Sequence, residues 1–339
     1  MLKKTLFIIF TCFITNFLFA QSGIGVYKFI DLPTSSRIAA FGGTIVSLVD
    51  NDVNFAFQNP ASLTNETNKT IGLNMSNYLA DIKFGSAIYS WNIGKKNYLG
   101  VGMQYVDYGQ FEERTIYNEY LGNFTAKDMS LHLIYARPIT NKITIGGTLK
   151  PIYSVFERYT SFGLALDAGV TYNDTKNLLS AGLVFRNAGT QLKGYYSDEN
   201  GQHYEVLPLD IQAGITKKLA HAPFRFSLNL HDLQQWSLNY ASYNQSVEVA
   251  DIGFLDMAAR HAIFGVEFVP GKNFYVMASY NHQRHQELKM NGFKSMTGFS
   301  FGGGIKLYKF QVGFGMSQFQ VGNFSYLFSI STSLNDFKL

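Results

Sequence analysis

The amino-acid sequence predicts an all-β fold, an outer-membrane antiparallel β-barrel of about 14 strands with an N-terminal plug segment. Three observations support this prediction. The first residues look like an export signal, the residues after Thr70 alternate between polar and apolar side chains, and the connections between these alternating segments are short and long in turn. Aromatic residues make up 16% of the chain and charged residues only 15%, which suits a wall with an apolar exterior.

Residues 1–20 have the features of a secretory signal peptide. Two lysines precede an apolar run that ends at Ala20, so we expect cleavage after that residue. The single cysteine, Cys12, lies within this segment and follows Thr11 instead of the small residues of a lipid-attachment site. The mature chain is therefore expected to lack disulfides, thiolate nucleophiles and cysteine metal ligands.

After the signal, no apolar run approaches the roughly 20 residues that a membrane helix needs. We therefore expect the exported chain to enter the outer membrane, with its lipid, as a barrel. The formal net charge of +4 includes the two signal lysines. Lysine and arginine are scattered along the chain and form no stripe, which argues against nucleic acid as a partner.

Residues 21–69 are predicted to form a plug, or hatch, inside the barrel, because their apolar residues occur in blocks and do not alternate. A serine or threonine at 34–36 can cap a short helix that begins near Arg37 and ends at two glycines. Pro60 suits the first position of another helical turn, where its missing N–H costs nothing. The candidate plug residues are Arg37, Gly42, Gly43, Asp52, Asn59 and Pro60.

Period-two alternation defines the barrel, residues 70–339. The clearest example is 224–231, where phenylalanine and leucine occupy one face and polar residues occupy the other. No helical period competes with this pattern. The predicted strands are 70–79, 82–92, 97–107, 123–138, 142–155, 160–173, 178–188, 207–218, 224–236, 259–269, 274–286, 295–307, 310–318 and 322–334.

The connections between these strands obey the parity of outer-membrane barrels, which have short periplasmic turns and longer extracellular loops. Every second connection is short, and the longest and most polar ones are 108–122, 189–206 and 237–258. This parity places both ends of the mature chain in the periplasm, from which the plug could fold back into the pore. Tyrosines of the long loops are candidate partner-binding residues, because aromatic side chains carry much of the energy of interfaces. These are Tyr117, Tyr120, Tyr195, Tyr196 and Tyr243.

Charged side chains on the strands are predicted to face the lumen. A lipid-facing lysine or arginine at mid-membrane costs about 2–4 kcal/mol. The alternation places four charged residues on the lumenal face, namely Arg186, Arg225, Glu267 and Lys306.

No motif favours an enzyme, a metal site or a cofactor. The G-x-S-x-G pattern around Ser300 lies inside an alternating strand, so we interpret Ser300 as a lumenal wall residue and not as a nucleophile. His282 and His285 would lie on opposite faces of a strand, which does not favour a shared metal ion. The acidic run near Asp52 lacks the glycine and glutamate of a calcium loop, so polar contacts between plug and wall are the better interpretation.

Several long stretches resemble one family of barrels. They include VSLVDNDVNFAFQNPASL at 46–63, GIGVYKFIDLP at 23–33 and LVFRNAGTQLKGYY at 183–196. On these stretches the chain is similar, essentially from end to end, to the PorV/PorQ-like outer-membrane barrels of the Bacteroidota type IX secretion system. That family is distantly related to the long-chain fatty-acid transporter.

The resemblance implies a non-enzymatic barrel of the surface attachment complex. It also implies three partners, a PorZ-like lipopolysaccharide-binding protein, a sortase-like PorU subunit and a PorV-like barrel, which together attach secreted cargo to lipopolysaccharide. Our first hypothesis is therefore an anchor that holds the PorZ-like protein through its extracellular loops. The alternative is a channel for hydrophobic small molecules, related to the fatty-acid transporter, in which residues 37–63 form a movable hatch. The alternation pattern does not discriminate between the two.

Overall fold

The computed structural model describes residues 25–77, 82–199, 201–238, 252–289, 296–320 and 323–337. Within these ranges, 14 antiparallel strands form a closed barrel in which neighbours along the chain are neighbours in the wall and the first strand pairs with the last. The predicted fold class is thus confirmed. The predicted signal peptide and Tyr243 lie outside the described residues.

The barrel strands are β1 Thr70–Asn77, β2 Lys83–Ile93, β3 Asn97–Arg114, β4 Tyr120–Pro138, β5 Ile143–Phe156, β6 Tyr159–Asp174, β7 Leu179–Lys193, β10 Asp210–Lys218, β11 Phe224–Leu230, β12 Ala262–Phe268, β13 Phe274–Asn281, β14 Phe299–Leu307, β15 Phe310–Gln320 and β16 Asn323–Ser333. Two further strands, β8 Ser197–Asp198 and β9 Gly201–Gln202, form a small hairpin in the connection between β7 and β10.

Strand β4 shows how the alternation builds the wall. Leu131 and Leu133 are about two-fifths exposed on the outside, whereas Ser130 and His132 are buried on the inside. Successive side chains of a strand point to opposite faces, so one apolar face meets lipid and the other meets the plug. Arg186 and Glu267 are almost fully buried in the interior, as their positions on the alternating strands predict.

Short turns gather at one end of the barrel, where β1 begins and β16 ends with Thr70 paired to Ser333. We assign this end to the periplasm. At the other end, the expected loop at 108–122 is instead the continuation of a hairpin. Strands β3 and β4 extend to Arg114 and Tyr120, which pair with each other. The stacked rings of Phe111 and Phe124, 5.3 Å apart, stabilise this extension.

Two helices replace parts of predicted strands at the extracellular end. Helix α2, Phe254–Arg260, precedes β12, and helix α3, His282–Leu288, follows β13. The predicted strands 259–269 and 274–286 are therefore too long, and β11 also ends six residues before its predicted limit. Chain direction changes at Asn281, whose Oδ1 accepts a hydrogen bond of 2.9 Å from the Arg284 amide and caps α3. No helix of the described residues is long and apolar enough to cross a membrane.

The plug consists of short helices joined by irregular chain. They are the 3-10 helix η1 Lys28–Asp31, the helix α1 Ser36–Ala40, and the 3-10 helices η2 Val53–Phe57 and η3 Pro60–Ser62. The predicted starts of α1 and η3 are confirmed. Ser35 Oγ accepts from the Ile38 amide, and Asn59 Oδ1 accepts from the Ala61 amide at 3.0 Å, with Pro60 in the first position.

The plug runs along the lumen from one end to the other. The Val26 amide donates to Val206 O at 3.0 Å at the extracellular end, whereas Asn68 Oδ1 accepts from the Asn92 amide near a short periplasmic turn. The sequence suggested that this segment enters from the periplasm and folds back into the pore. The described chain instead runs in one direction through the lumen. It descends from the extracellular end and joins β1 directly at Thr70.

Candidate functional site

Arg37 lies at the centre of an ionic cluster that joins plug and wall. Its Nη2 is 2.8 Å from Asp50 Oδ2 and 2.9 Å from Glu267 Oε1 of β12, and its Nη1 is 3.6 Å from Asp52 Oδ2. Arg225 of β11 donates from Nε to Glu267 Oε2 at 2.7 Å. Burial opposes the charged guanidinium, but Asp50 and Glu267 outweigh it and raise the pKa of Arg37, so the group stays charged.

Aromatic rings complete this cluster. The Arg37 guanidinium carbon lies 5.0 Å from the centroid of Phe55 in the plug and 4.5 Å from that of Tyr275 in β13. Rings at these distances stabilise a desolvated cation. The predicted plug residues Arg37 and Asp52 therefore belong to one cluster, which Arg37 joins to the wall through Glu267 and Tyr275.

Gly42 and Gly43 end α1 with positive φ angles of 82° and 99°. A Cβ on Gly42 would lie 2.8 Å from Ile263 Cγ2 of β12, so any side chain there would displace Ile263 and also strain the backbone. The Gly42 carbonyl accepts a hydrogen bond of 2.9 Å from Arg284 Nη2 of α3. These two glycines thus bring the plug backbone against the extracellular half of the wall.

Asn59 fixes the middle of the plug. Its Nδ2 donates to Val46 O at 2.8 Å, while Val46 N donates to Asn229 Oδ1 of β11 at 3.2 Å. The neighbouring Ser47 Oγ is 2.7 Å from Thr216 Oγ1 of β10. Residues 45–47, all buried, are consequently held between the rest of the plug and two wall strands.

Glycines on the lumenal face let the plug approach the wall backbone. A Cβ on Gly182 of β7 would overlap the Val46 carbonyl oxygen, and one on Gly302 of β14 would lie 2.5 Å from Ala40. Pro60 fits against Gly146 of β5 in the same way, with its Cβ 3.0 Å from the position of an added Cβ. Gly302 is thus a small residue at a point where the plug meets the wall.

The β4–β5 hydrogen-bond ladder is interrupted where the plug backs it. Pairing is continuous up to Ser130 with Ile152 and resumes at Leu133 with Leu149, and the gap contains Pro151, which has no N–H to donate. On the lumenal side of this gap His132 meets the edge of Phe57 at 4.9 Å between ring centroids. The Phe57 ring therefore closes the inside of the wall at this interruption.

Cavities lie on both sides of residues 45–47. The extracellular one, about 280 Å³, is bordered by plug residues up to Thr44 and by the β7 and β10–β13 side of the wall. A periplasmic one of about 440 Å³ begins at Leu48, and another of about 540 Å³ borders Arg37 and Asp50. Along the chain, residues 45–47 thus lie between the plug residues that border the extracellular cavity and those that border the periplasmic one.

The extracellular cavity contains polar atoms without partners. Among the described residues, Arg186 Nε, Gln212 Oε1 and His231 Nε2 are buried and make no hydrogen bond. Arg186 and Gln212 belong to the wall strands β7 and β10, and His231 follows β11. Buried polar atoms are normally satisfied, so three in one cavity distinguish it from the Arg37 cluster.

Of the four described tyrosines proposed for partner binding, three are exposed and one is turned inward. Tyr117 and Tyr120 are exposed near the tip of the β3–β4 hairpin, and Tyr196 is exposed before β8. Tyr195 instead turns inward, where its hydroxyl bonds Ser154 Oγ and its ring lies 6.5 Å from that of Tyr27 in the plug.

The structure also shows where two sequence motifs lie, the serine motif around Ser300 and the pair His282 and His285. Ser300 lies buried in β14 and accepts a hydrogen bond of 2.8 Å from Ser317 Oγ, so its interpretation as a wall residue is confirmed. The expectation that His282 and His285 lie on opposite faces is wrong, because both belong to α3 and residues three apart share a helix side. They have separate partners, Asp256 Oδ1 at 2.6 Å and Thr297 O at 2.8 Å.

These features define a plugged outer-membrane barrel. No protein-family profile matches the chain, and no curated protein matches it in sequence. Several solved structures, by contrast, are similar to it in fold. The CymD monoaromatic hydrocarbon channel is similar with a TM-score of 0.57 and 15% identity, over 91% of this chain and 99% of that one.

Two Pseudomonas structures agree. The Pseudomonas putida toluene transporter TodX gives a TM-score of 0.52 at 11% identity, over 89% of this chain and 97% of its own. A Pseudomonas aeruginosa FadL homologue gives 0.50 at 9% identity, over 88% and 97%. The chain therefore has the fold of a FadL-like outer-membrane barrel, and its outer-membrane location is as the sequence predicts.

This finding corrects the first functional hypothesis. An anchor of the type IX secretion attachment complex is the wrong expectation, because the structures that share this fold over nearly their whole length are hydrocarbon channels. The PorZ-like, PorU-like and PorV-like partners that the resemblance implied stay predictions.

Proposed function

We propose that this protein is a non-enzymatic channel through which small hydrophobic molecules cross the outer membrane, with residues 37–63 as its hatch. One observation carries the proposal: buried residues 45–47 of the plug lie between the plug segment that borders the extracellular cavity and the one that borders the periplasmic cavity. Opening a path requires these three residues to move. The remainder of the hatch can stay in place.

The likeness to hydrocarbon channels supports this proposal, because it extends beyond the wall. Residues 70–339 are 270 of the 339 residues, or about four-fifths of the chain. A match over 91% of the chain must therefore include part of the segment before Thr70.

The contacts of residues 45–47 suit a hatch that moves locally. Val46 and Ser47 are held by neutral hydrogen bonds to Asn59, Asn229 and Thr216. Each such bond contributes about 0.5–1.5 kcal/mol. The Arg37 cluster, by contrast, has buried ionic contacts that resist displacement. Movement at 45–47 with Arg37 fixed is the opening of lowest cost.

A reversible crosslink tests the hatch. The variant Ser47→Cys with Thr216→Cys joins positions whose hydroxyl oxygens are 2.7 Å apart, in a mature chain expected to have no other cysteine. We expect saturable uptake of radiolabelled toluene by proteoliposomes to be lost on oxidation and regained on reduction. The matched control, Ser300→Cys with Ser317→Cys, crosslinks two wall strands that are already paired and should leave uptake unchanged.

Two results would contradict the proposal. Toluene entry that equals the rate of protein-free vesicles means that the barrel does not conduct this class of solute. Saturable uptake that survives complete oxidation of the 47–216 pair means that the path lies elsewhere than at residues 45–47.

A further inference from the structure

Three lysines face outward near the extracellular ends of strands on one side of the barrel. They are Lys83 of β2, Lys127 of β4 and Lys193 of β7, and all three are exposed. The strand register places Lys83 opposite Asp107 of β3, and Asp107 opposite Lys127. Neighbouring strands are about 4.8 Å apart, so Lys83 and Lys127 are separated by about 10 Å along one row of the wall.

The same row leads to the third lysine. Lys127 is opposite Val155 of β5, and Val155 is opposite Thr160 of β6. Lys193 is paired with the outward-facing Phe162 of β6, and its Nζ donates to Thr160 Oγ1 at 2.6 Å. The three lysines thus form a cationic row on the outer surface of β2–β7.

The charges of the cationic row are only partly neutralised. It contains one carboxylate, Asp107, whose Oδ2 is 3.9 Å from Lys127 Nζ. The other two lysines form no ion pair within the described part of the chain. In the adjacent β5–β6 turn, Glu157 and Arg158 pair with each other at 3.7 Å. Three lysines and one carboxylate leave the row with a net charge of +2.

The cationic row lies at the outer edge of the apolar band. Ten residues of β4 separate Lys127 from the outward-facing Arg137, which is a length of about 34 Å along the strand. A tilt of about 40° reduces this to about 25 Å along the membrane normal, which is the height of the apolar band of such barrels. The outward residues in between are Met129, Leu131, Leu133 and Tyr135. Lys127 therefore lies at the level of the outer-leaflet headgroups.

A row of apolar and aromatic side chains lies two residues nearer the periplasm. Tyr105, Met129, Tyr153 and Phe162 are register neighbours on β3–β6. Aromatic residues are enriched where the wall of a barrel meets the membrane interface. An acyl chain can pack against this row while its headgroup reaches the lysines.

The opposite side of the barrel differs. On β10–β16, the outward residues near the extracellular ends are apolar or aromatic, for example Leu230, Phe264 and Tyr280. None of the described outward residues at those ends is a lysine or an arginine. The grouping of cations on one side indicates a local site and not a uniform contact with lipid.

We propose that the cationic row binds the phosphate groups of a lipopolysaccharide molecule in the outer leaflet, with the acyl chains of that molecule on the aromatic row below. A lysine ammonium group has three donors and binds phosphate as a point charge. Each lysine near an anionic lipid surface strengthens binding by about fivefold. The site lies on the outside of the wall, so it is independent of any path through the lumen.

Lipid A, with and without its two phosphates, tests the site. Binding of each probe to the purified full-length barrel in detergent is measured by microscale thermophoresis. We expect lipid A to bind at least about tenfold more tightly than the dephosphorylated form. Equal affinities would overturn the proposal. Inorganic phosphate that binds as tightly as lipid A would also overturn it, because the row would then take a free anion and not a lipid.

A triple variant assigns the binding to the cationic row. Lys83→Gln, Lys127→Gln and Lys193→Gln together should weaken lipid A binding by about tenfold or more. The matched control removes three exposed lysines from periplasmic turns and should leave the affinity unchanged. It combines Lys95→Gln, Lys96→Gln and Lys176→Gln. An equal loss in the two triple variants would mean that net charge alone attracts the lipid, and would overturn the proposal.

A gain of affinity provides a test that misfolding cannot mimic. Asp107→Asn removes the carboxylate within the row and should strengthen lipid A binding by about threefold. Affinity for the dephosphorylated probe should not change. Lipid A binding that is unchanged or weaker in Asp107→Asn would contradict the site.

Discussion

The plug meets the wall differently in the two halves of the lumen. In the periplasmic half, Arg37, Arg225, Asp50 and Glu267 are all within ionic contact of an opposite charge. In the extracellular half, Arg186 is buried without such a contact among the described residues. The first arrangement holds chain against chain, whereas Arg186 has Asp210 as its cross-strand neighbour but no direct ion pair. The same residue type therefore has two environments in one lumen.

An arginine can be substituted in each half of the lumen, and the largest loss of unfolding free energy is expected at Arg37. Arg37→Met leaves Glu267, which is fully buried, with only Arg225, and leaves Asp50 and Asp52 short of a cation. Removing one partner of a buried ionic cluster costs about 3–5 kcal/mol. Equilibrium unfolding in urea with lipid micelles should show this loss. A cost below about 1 kcal/mol would mean that the cluster does not hold the plug.

The second-largest expected effect is a pH dependence of the unfolding free energy that originates at Asp31. Because burial raises its pKa to about 6 from 3.8, the folded protein retains the proton when the unfolded chain has lost it. Stability from this group is therefore highest below pH 4, falls as the pH rises to 6, and is constant above that. Asp31→Asn should gain about 2–3 kcal/mol of unfolding free energy at pH 8 and little at pH 4. If the unfolding free energies of the natural protein and of Asp31→Asn changed with pH in parallel, Asp31 would not be the origin of the effect.

A smaller effect is expected where the wall touches the barrier between the cavities. Gly182→Ala places a Cβ against the Val46 carbonyl oxygen and should displace residues 45–47. Such overpacking costs about 1–3 kcal/mol, and single-channel recordings in planar bilayers should show a new ion conductance. The control Gly147→Ala adds a Cβ 3.5 Å from Asp167 O, which is an ordinary contact. This variant should show no new ion conductance.

The smallest effect is expected at Arg186. Arg186→Met removes a guanidinium that has one long hydrogen bond and no ion pair among the described residues. The unfolding free energy should change by about 1 kcal/mol or less. A loss as large as that of Arg37→Met would show that the two halves of the lumen do not differ.

The sequence predicts the wall better than the lumen, for a physical reason. Alternation is a local property, so the lipid-facing leucines of β4 and the short turns are visible in any window of ten residues. Helix α3 is missed because His282–Leu288 is polar up to Glu287 and shows no apolar stripe of helical period, although its cap Asn281 was a usable signal.

The lumenal site depends on contacts between residues that are far apart in the chain. Arg37 and Glu267 are separated by 230 residues, and no local pattern connects them. Arg37 itself could be predicted as a plug residue because it begins a helix before two glycines. The lack of a direct ion pair at Arg186 could not, because it depends on how the plug packs against β7.

The route of the plug also constrains the order in which the protein can fold. Helix α1 contacts β14, β15 and β16, whereas η3 contacts β4, β5 and β6. The Ser36 amide donates to Ser329 Oγ, across 293 residues of chain. The first part of the plug thus waits for the last strands before it gains its partners, and closing so long a loop is slow. The end of the chain completes both the wall and its contents in one late step.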